Sequence, residues 1–299
     1  MTRSPRILLD RLSAIGDIVF ASPLVSAFRR AQPDAYIAWL TQPQCRPLLE
    51  HHPALDEVIT WPSGTWQSLW RARRWRELER EIRCFRQELR ERRFELAVDL
   101  QGLLKSGILT RLCGAPQRIG LGSREGSGWL MTRTIPRGGD SERIASEYLY
   151  LARNLGLPAD GFGMEVHGTG EDARYADELI ATEGLQGGYA VICPFTTRPQ
   201  KHWFEDRWAE LVRRVGTEFG LRVIMLGGAA DRPAAARIRA LGAPGLIDMA
   251  GQTSLLQAAA LIERCTLLVA VDTGLGHMGI AYARPSLLLF GSTCPYPVS

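Results

Sequence analysis

The chain has 299 residues, of which 45% are hydrophobic, and it carries a formal net charge of +4. This length favours two medium-sized cores over one large core, so a two-domain globular protein is expected. The mild net charge gives no argument by itself for a nucleic-acid binder.

Cysteine spacing and hydropathy exclude several classes of protein. The cysteines lie far apart, without C-x-x-C pairs or histidines at ligand spacing, which argues against a zinc site and a disulfide framework. We predict buried thiols in a reducing cytosol. The first apolar segment, ILLDRLSAIGDIVFASPLVSAF, is interrupted by Asp10, Arg11 and Asp17, so it is neither a signal sequence nor a membrane span. The six cysteines are Cys45, Cys84, Cys113, Cys193, Cys265 and Cys294.

The first half of the chain alternates strand-like and helix-like segments. RILLDRL predicts a strand, and IVFASPLVSAFRRA after SAIGD predicts a helix. YIAWL, EVITW, FELAVDL and RIGLG predict further strands. Between them lie a long charged helix from about Trp66 to Arg93 and a helix in LLKSGILTRLCG. This order is typical of βαβ units.

A second βαβ series begins after a break rich in Gly and Pro between Gly156 and Gly170. Its predicted strands are YAVICPF, RVIMLGG, GLIDMAG, TLLVAVDTG and PSLLLFG. Helices are predicted from about Glu205 to Phe219, around ARIRAL and SLLQAAALIERC, and from about Leu275 to Tyr282. We therefore predict an α/β protein with domains 1–160 and 170–299 and a cleft between two parallel sheets. GSTCPYPVS follows the last strand, where a further helix is expected.

Ligands of such sheets bind at loops beyond the carboxyl ends of strands, so these loops are the candidate sites. After the first strand, Asp17 either satisfies free amides at a helix start or acts as a general base, and both roles are compatible. Gly16 allows a ligand to approach the backbone. After the fourth strand, Lys105 lies in the first turn of a helix, where a cation is electrostatically disfavoured. Lys105 therefore either serves an anionic ligand or extends into solvent.

Two loops of the second half have the components of a phosphate site. PFTTRPQKHWFEDRW combines Thr196, Thr197 and Lys201 with a helix start, although a turn with a solvated lysine remains the alternative. The chain has only two lysines, Lys105 and Lys201, among 36 basic residues, so both positions stand out. The loop with Asp272, Thr273, Gly274 and His277 leaves amides open at a helix start, which suits a diphosphate.

An arginine-rich segment between Arg71 and Arg93 holds ten Arg against five Glu. With Trp61, Trp66, Trp70 and Trp75 nearby, its first part suits the surface of an anionic membrane, while Glu–Arg pairing on a solvated helix is favoured after Glu77. A nucleic-acid binder would use the same cluster, but it would leave the loops above unexplained.

Four segments in this order, SAIGD, DLQGLLKS, TTRPQKHW and VDTGLGH, resemble the heptosyltransferases of glycosyltransferase family 9. DLQGLLKS and TTRPQKHW are most similar to the members that transfer the first heptose. The resemblance implies a GT-B fold, two Rossmann-like domains facing a cleft, with the acceptor bound by the first and ADP-heptose by the second. It implies heptose transfer to the Kdo of the lipopolysaccharide inner core, on the cytoplasmic side of the bacterial inner membrane.

The resemblance also implies roles for individual residues. Asp17 is the catalytic base. The donor site has Thr196, Thr197, Lys201, Asp272, Thr273, Gly274 and His277, and Arg124 lies in a segment that resembles one facing acceptor and donor together. From their positions in the sequence alone, we add Ser13, Gly16, Lys105, Arg71 and Arg74 as candidate acceptor contacts. We expect an inverting reaction without metal or cofactor, a peripheral contact with the inner leaflet, and no nucleic-acid partner. Two departures from the family pattern are Phe20, where a histidine is common, and the lack of a ribose-binding glutamate, for which only Asp231 is available.

Three alternatives stay open at this point. The first is a relative with another donor sugar, and the second is a relative with another acceptor, such as one that adds a second heptose. The third is a catalytically idle nucleotide-sugar binding module. All three would share most of these residues. Only the idle module would not need Asp17.

Overall fold

The computed structural model describes residues 4–140, 143 and 146–291. Contacts within the chain divide it into two compact units, the first extending to Gly163 and the second beginning at Met164. Both units are α/β, and every strand pair in them is parallel. The α/β fold class predicted from the sequence is confirmed.

Unit 1 contains a six-stranded sheet in the order β3-β2-β1-β4-β5-β6. Its central strands are buried on both faces, as parallel strands covered by helices are. The strands are β1 (Arg6–Asp10), β2 (Tyr36–Thr41), β3 (Glu57–Thr60), β4 (Leu96–Asp99), β5 (Gln117–Leu121) and β6 (Arg133–Ile135). The helices are α1 (Ile15–Ala21), α2 (Pro23–Ala31), α3 (Ser63–Arg71), α4 (Trp75–Glu91), α5 (Leu104–Leu112) and α6 (Ser146–Asn154).

The long charged helix predicted from about Trp66 to Arg93 is in fact two helices, α3 and α4. The chain turns between them at Arg73, whose φ of 55° lies in the left-handed region and cannot continue a right-handed helix. Two of the four tryptophans assigned to a membrane surface are part of the core instead. Trp61 packs edge-on against Trp66 at 5.8 Å, and Trp66 packs against the buried Phe85 at 5.7 Å.

Unit 2 contains a five-stranded sheet in the order β11-β10-β7-β8-β9. Apolar side chains fill both faces, with Tyr189 and Trp208 among the largest fully buried ones. The strands are β7 (Tyr189–Cys193), β8 (Arg222–Met225), β9 (Leu246–Asp248), β10 (Leu267–Val271) and β11 (Ser286–Leu289). The helices are α7 (Gly170–Thr182), α8 (Glu205–Phe219), α9 (Arg232–Ala240), α10 (Leu255–Arg264) and α11 (Gly274–Ala281).

The strand order reverses once in each unit, between β1 and β4 in unit 1 and between β7 and β10 in unit 2. Loops that leave two such neighbouring strands in opposite directions open a crevice, which is where open parallel sheets bind ligands. The loops containing Asp17, Lys105, Lys201 and Asp272 follow these four strands. The topology therefore brings Asp17 near Lys105 in one unit and Lys201 near Asp272 in the other, at the reversal of each sheet.

Two further expectations concern cysteines and membrane spans. Cys45, Cys113, Cys193 and Cys265 are buried free thiols, but Cys84 is exposed on α4, contrary to expectation, and Cys294 lies outside the described residues. Within the described part of the chain, no helix has both the length and the apolar character needed to cross a bilayer.

Candidate active-site residues in the two units

Asp17 lies in the first turn of α1, directly beyond β1. Its Oδ2 accepts a hydrogen bond from the Ala14 amide at 3.0 Å and forms an ion pair with Arg11 Nη2 at 2.5 Å. The side chain is 40% exposed, and its contacts with other described residues are both made through Oδ2. Asp17 therefore caps the helix through Oδ2 and leaves Oδ1 without a contact to another described residue, so the capping role is compatible with the predicted general-base role.

Arg11 holds Asp17 against the neighbouring strand. The arginine side chain is 8% exposed, and Nη1 donates to the backbone oxygen of Leu100 at 2.9 Å. One guanidinium thus joins the carboxylate after β1 to the backbone after β4, on both sides of the strand-order reversal. A role for Arg11 is not predictable from the sequence, because its position directly after β1 is visible there but its partners are not.

The loop after β4 is held in place by hydrogen bonds that backbone amides donate to side-chain oxygens. Asp99 Oδ1 accepts from the amides of Gln101 and Gly102 at 3.0 and 2.9 Å, and Gln101 Oε1 accepts from the Leu12 amide at 3.1 Å. Gly102 has a φ of +70°, and a Cβ at this position would lie 2.5 Å from the Leu121 oxygen. Only glycine fits there, so the QG pair of DLQGLLKS has a structural reason.

Two buried carboxyl groups face each other in register beneath these loops, Asp10 on β1 and Asp99 on β4. Burial and then the Asp99 charge raise the pKa of Asp10, and burial raises the pKa of Asp99. Thr110 Oγ1 donates to Asp10 Oδ2 at 2.8 Å, whereas Asp10 Oδ1 and Asp99 Oδ2 have no hydrogen-bond partner. Burial disfavours the ionised form of both carboxyl groups, and the Asp99 charge adds to this effect at Asp10, whereas the Arg11 charge opposes it at both. Sequence analysis missed this pair, since β1 and β4 lie far apart in the chain.

The other acceptor candidates of unit 1 lie along the same edge of the sheet. Lys105 is exposed in the first turn of α5, and Arg124 is exposed in the loop after β5. The Arg124 amide donates to the Gly102 oxygen at 2.7 Å, which fixes one loop on the other. Arg124 also lines a pocket of about 530 Å³ together with Ser123, Thr134 and Arg137. Arg137, which sequence analysis did not select, pairs there with Glu147 at 2.6 Å.

The remaining acceptor candidates fall into two groups. Ser13 and Gly16 flank Asp17 in the same loop. Arg71 and Arg74 follow β3, and Arg74 forms an ion pair with Glu77. Four strand spacings separate β3 from β5, roughly 19 Å, so these arginines and Arg124 contact the same ligand only if it is large.

Lys201, Asp272 and His277 form one cluster in unit 2. Lys201 Nζ lies 2.5 Å from Asp272 Oδ2, and His277 Nε2 lies 3.2 Å from Asp272 Oδ1. The side chains of Lys201 and Asp272 are 16% and 15% exposed. The hydrogen bond with His277 and the contact with Lys201 hold the pKa of Asp272 well below its usual value, against the opposing effect of burial. Lys201 is therefore a largely buried, oriented cation, which does not fit a solvated turn.

The threonines precede Lys201 in the loop after β7. Thr196 is partly buried, and its backbone oxygen accepts from His202 Nε2 at 2.8 Å, whereas Thr197 is exposed. Trp203 of the same motif packs edge-on against the buried Trp208 at 5.2 Å. The tryptophan of TTRPQKHW thus anchors the loop on the core, which leaves ligand contacts to the threonines and Lys201.

The loop after β10 leads into α11, whose N-cap is Thr273 and whose first residue is Gly274. The Thr273 side chain does not cap this helix, so the site offers first-turn amides to an anion. A Cβ on Gly276 would lie 2.9 Å from Leu288 Cδ2, and one on Gly279 would lie 2.2 Å from Leu268 Cδ2. These later glycines therefore allow close packing of α11 on the sheet.

Asp231, the candidate ribose ligand, lies after β8. Its Oδ2 accepts a hydrogen bond from the Gly228 amide at 2.8 Å.

Known proteins resemble this chain over almost its full length. The lipopolysaccharide heptosyltransferase 1 of Pseudomonas aeruginosa is 32% identical, with 97% of this chain and 79% of the relative covered. The lipopolysaccharide heptosyltransferase 2 of Salmonella typhimurium is 27% identical, with coverages of 97% and 84%.

A solved structure, Escherichia coli heptosyltransferase WaaC with ADP-2-deoxy-2-fluoro heptose, superimposes with a TM-score of 0.76 at 25% identity, covering 97% of this chain and 90% of that one. The GT-B assignment is confirmed by this match. The profile of glycosyltransferase family 9 (heptosyltransferase) matches residues 82–298. The chain belongs to glycosyltransferase family 9, the heptosyltransferases.

Proposed function

We propose that this enzyme transfers heptose from ADP-heptose to the Kdo of the lipopolysaccharide inner core, with inversion and without a metal ion. The observation that carries the proposal is the pair of sites at the two strand-order reversals. Unit 1 presents a carboxylate oxygen, Asp17 Oδ1, and unit 2 presents an oriented lysine beside open helix amides. A base and an anion site are the two requirements for displacing a nucleoside diphosphate from a sugar.

Asp17 is the base of the proposed reaction. As the acceptor hydroxyl attacks the anomeric carbon, its proton passes to Asp17 Oδ1 while the bond from that carbon to the phosphate oxygen breaks. Arg11 fixes the other oxygen, so the carboxylate keeps one orientation. Ser13, Gly16, Lys105 and Arg124 form the proposed acceptor contacts, and Arg71 and Arg74 reach more distant acidic groups of a large acceptor.

Unit 2 binds the donor in this proposal. The ADP diphosphate lies against Lys201, the hydroxyls of Thr196 and Thr197, and the amides that follow Thr273. His277 and Asp272 hold Lys201 and the loop after β10 in position. The leaving electron pair stays on the diphosphate, where the lysine charge stabilises it.

Metal independence and inversion both follow from the carboxylates of these loops. Asp272 is already engaged by Lys201 and His277, so a divalent ion would have to displace the lysine to bind it. Direct attack assisted by one carboxylate, without a second carboxylate as nucleophile, reverses the configuration at the anomeric carbon.

The acceptor step and the cellular location belong to the proposal as well. Relatives include both heptosyltransferase 1 and 2, so transfer of a second heptose to an existing one is the main alternative. We place the enzyme in the cytoplasm, on the inner face of the inner membrane, because its lipid-anchored acceptor would be there. Trp70 and Trp75, 63% and 49% exposed and in edge-on contact, form a corner suited to lipid headgroups.

The test is ADP release with Kdo2-lipid A as acceptor and ADP-heptose as donor, in the presence of EDTA. Wild-type protein should release ADP only with the acceptor, and Asp17→Ala should reduce the rate by about a hundredfold or more. Asp34→Ala, a change of an exposed carboxylate in unit 1, is the matched control and should keep full activity.

Three other results would change the assignment. Release that requires an acceptor already carrying one heptose would indicate the second transfer step. Donor binding without release for either acceptor would favour a binding module. Dependence of the wild-type rate on added Mg²⁺ would contradict the metal-independent mechanism.

A further inference from the structure

A second concentration of arginine lies on unit 1 along α4. At 3.6 residues per turn, five arginines of this helix fall within about 120° of its circumference, and four glutamates fall within about 80° on the other flank. Opposite charges are thus separated around the helix, apart from Glu79, which pairs with Arg83 at 2.6 Å. The arginines are Arg76, Arg80, Arg83, Arg86 and Arg90, and the glutamates are Glu77, Glu81, Glu88 and Glu91.

Two adjoining pockets open near the C-terminal end of this basic flank, and both contain Arg90 and Arg93. The first, of about 610 Å³, is completed by Arg83, Arg86, Gln87 and Glu91. The second, of about 450 Å³, is completed by Phe94, Arg111, Cys113 and Gly114. Together they are lined by the guanidinium groups of five arginines and by one carboxylate.

Helix C-termini attract arginines without any ligand, because their free carbonyls are partly negative. Arg92 near this site has that role, since its Nη1 donates to the Glu88 oxygen in the last turn of α4, whereas Arg118 Nη1 donates to the Ala115 oxygen in the loop after α5 at 2.5 Å. Arg90, Arg93 and Arg111 form neither side-chain hydrogen bonds nor ion pairs with other described residues. The capping of helix ends therefore does not account for these three.

The backbone around the pockets holds these side chains at a cost at one position and leaves room for them at another. Arg93 adopts a φ of 51°, a left-handed conformation at a helix end where glycine is the usual residue. Gly114 has a φ of +79°, and a Cβ there would come within 3.3 Å of Arg90 Cγ and Nε. An arginine thus occupies a position suited to glycine, and a glycine leaves room for the stem of the neighbouring arginine.

We propose that these two pockets bind an anion that carries two or more phosphate charges. Guanidinium groups bind phosphate oxygens through paired hydrogen bonds, and Arg90, Arg93 and Arg111, which have no partner among the described residues, would be stabilised by a polyvalent anion. Phosphate groups of a soluble polyphosphate and of an anionic lipid headgroup have this chemistry in common.

This site is separate from the proposed acceptor site of the same unit. Helix α4 ends at Glu91 before the start of β4, and α5 ends at Leu112 before the start of β5. The pockets therefore lie at the amino edge of the sheet, whereas Asp17 and Lys105 follow the carboxyl ends of β1 and β4. An anion bound at this edge does not occupy the place of the acceptor.

The experiment measures binding of tripolyphosphate by calorimetry, using full-length protein with Lys201→Met so that the proposed donor site binds more weakly and is distinguished from the new site. We expect one binding event, weakened about tenfold or more by Arg90→Gln/Arg93→Gln. The control, Arg30→Gln/Arg153→Gln, makes the same charge change at two exposed arginines of unit 1 and should leave the affinity unchanged. Sedimentation with vesicles of phosphatidylglycerol and phosphatidylcholine, against pure phosphatidylcholine, provides the second arm.

Each outcome supports or overturns the proposal. Tripolyphosphate binding that Arg90→Gln/Arg93→Gln removes supports a soluble anion, and loss of vesicle binding alone supports a lipid headgroup. The proposal is overturned if Arg90→Gln/Arg93→Gln and the control bind both probes equally. It is also overturned if the protein with Arg90 and Arg93 intact binds neither probe. Arg93→Gly separates binding from folding, because it should raise the melting temperature by removing a left-handed arginine while it weakens anion binding.

Discussion

Lys201 Nζ and Asp272 Oδ2 lie 2.5 Å apart, joining the loop after β7 to the loop after β10. The ion pair connects the two strands between which the order of the second sheet reverses. Both side chains are largely buried, so the lysine is held in place before any donor arrives. An oriented cation loses less conformational entropy on binding a diphosphate than a mobile surface lysine does.

Asp272→Asn tests how much this ion pair contributes to the free energy of unfolding, because that contribution depends on pH. The folded-state pKa of Asp272 lies below the ordinary value of 3.8, so the unfolded chain takes up a proton first as the pH falls. Its stabilising contribution is therefore complete above about pH 4 and is lost progressively below it. We expect Asp272→Asn to be less stable than wild type by roughly 2 to 4 kcal/mol at pH 7.

Urea unfolding at pH 7 and at pH 3 measures this difference, which should become smaller at the lower pH. Asp34→Asn, at an exposed aspartate, is the control and should follow the wild type at both pH values. A difference that stays constant with pH would show that loss of the charge is not the cause.

Lys201→Met should weaken ADP binding by about ten- to a hundredfold, because one charge-assisted contact with the diphosphate is lost. The only other lysine of the chain, Lys105, provides the matched control. Lys105→Met removes an exposed charge from unit 1 and should leave ADP affinity unchanged. Calorimetric titration with ADP compares the two, and an equal loss in both variants would indicate a non-specific charge effect.

The sequence predicted ten of the eleven strands and the candidate loops, because both depend on local patterns, but it missed the three-residue β6 and the helices α6 and α7. Runs of apolar residues located the strands, and polar residues directly after them located Asp17, Lys105, Lys201 and Asp272. Parallel strands that alternate with helices carry this information in consecutive residues.

Contacts between distant segments were not predictable in the same way. The partners of Arg11 and the register of Asp10 with Asp99 depend on which strands are neighbours in the sheet. The turn at Arg73 also escaped prediction, since a left-handed arginine leaves no composition signal of the kind that glycine gives. The tryptophans show the same limit. Trp61 and Trp66 pack against the core, whereas Trp70 and Trp75, with the same spacing of five positions, are exposed.

Arg11→Met should lower kcat for transfer by about tenfold or more, since Asp17 would no longer be held in one orientation. Arg11→Lys should recover part of this loss, because it restores a positive charge but cannot form both contacts of the guanidinium. ADP affinity should stay unchanged in both variants, as the arginine belongs to unit 1. Steady-state kinetics with both substrates separates kcat from KM, and a change in KM alone would contradict a positioning role.

Substitution of the tryptophans should distinguish core from surface. Trp66→Ala should destabilise the protein by about 2 to 4 kcal/mol, because it removes a ring packed between Trp61 and Phe85. Trp70→Ala should cost about 1 kcal/mol or less, since this side chain is 63% exposed. Urea unfolding measures both, and sedimentation with anionic vesicles should show weaker binding for Trp70→Ala if the corner contacts lipid. Wild-type vesicle binding by Trp70→Ala would exclude that contact.

Asp10→Asn should make the protein more stable at pH 8, by about 1 to 2 kcal/mol. The pKa of Asp10 is raised in the folded state, so the folded protein takes up a proton before the unfolded chain does as the pH falls. The penalty of the buried charge is therefore complete at high pH and is relieved as the pH falls toward the ordinary value of 3.8, a trend opposite to that of Asp272. An asparagine amide carries no charge and can donate to the Asp99 oxygen that has no partner. Thermal unfolding from pH 5 to pH 8 should show that the stability gained by Asp10→Asn increases with pH. If Asp10→Asn is instead less stable than wild type at pH 8, the ionised Asp10 has a stabilising partner.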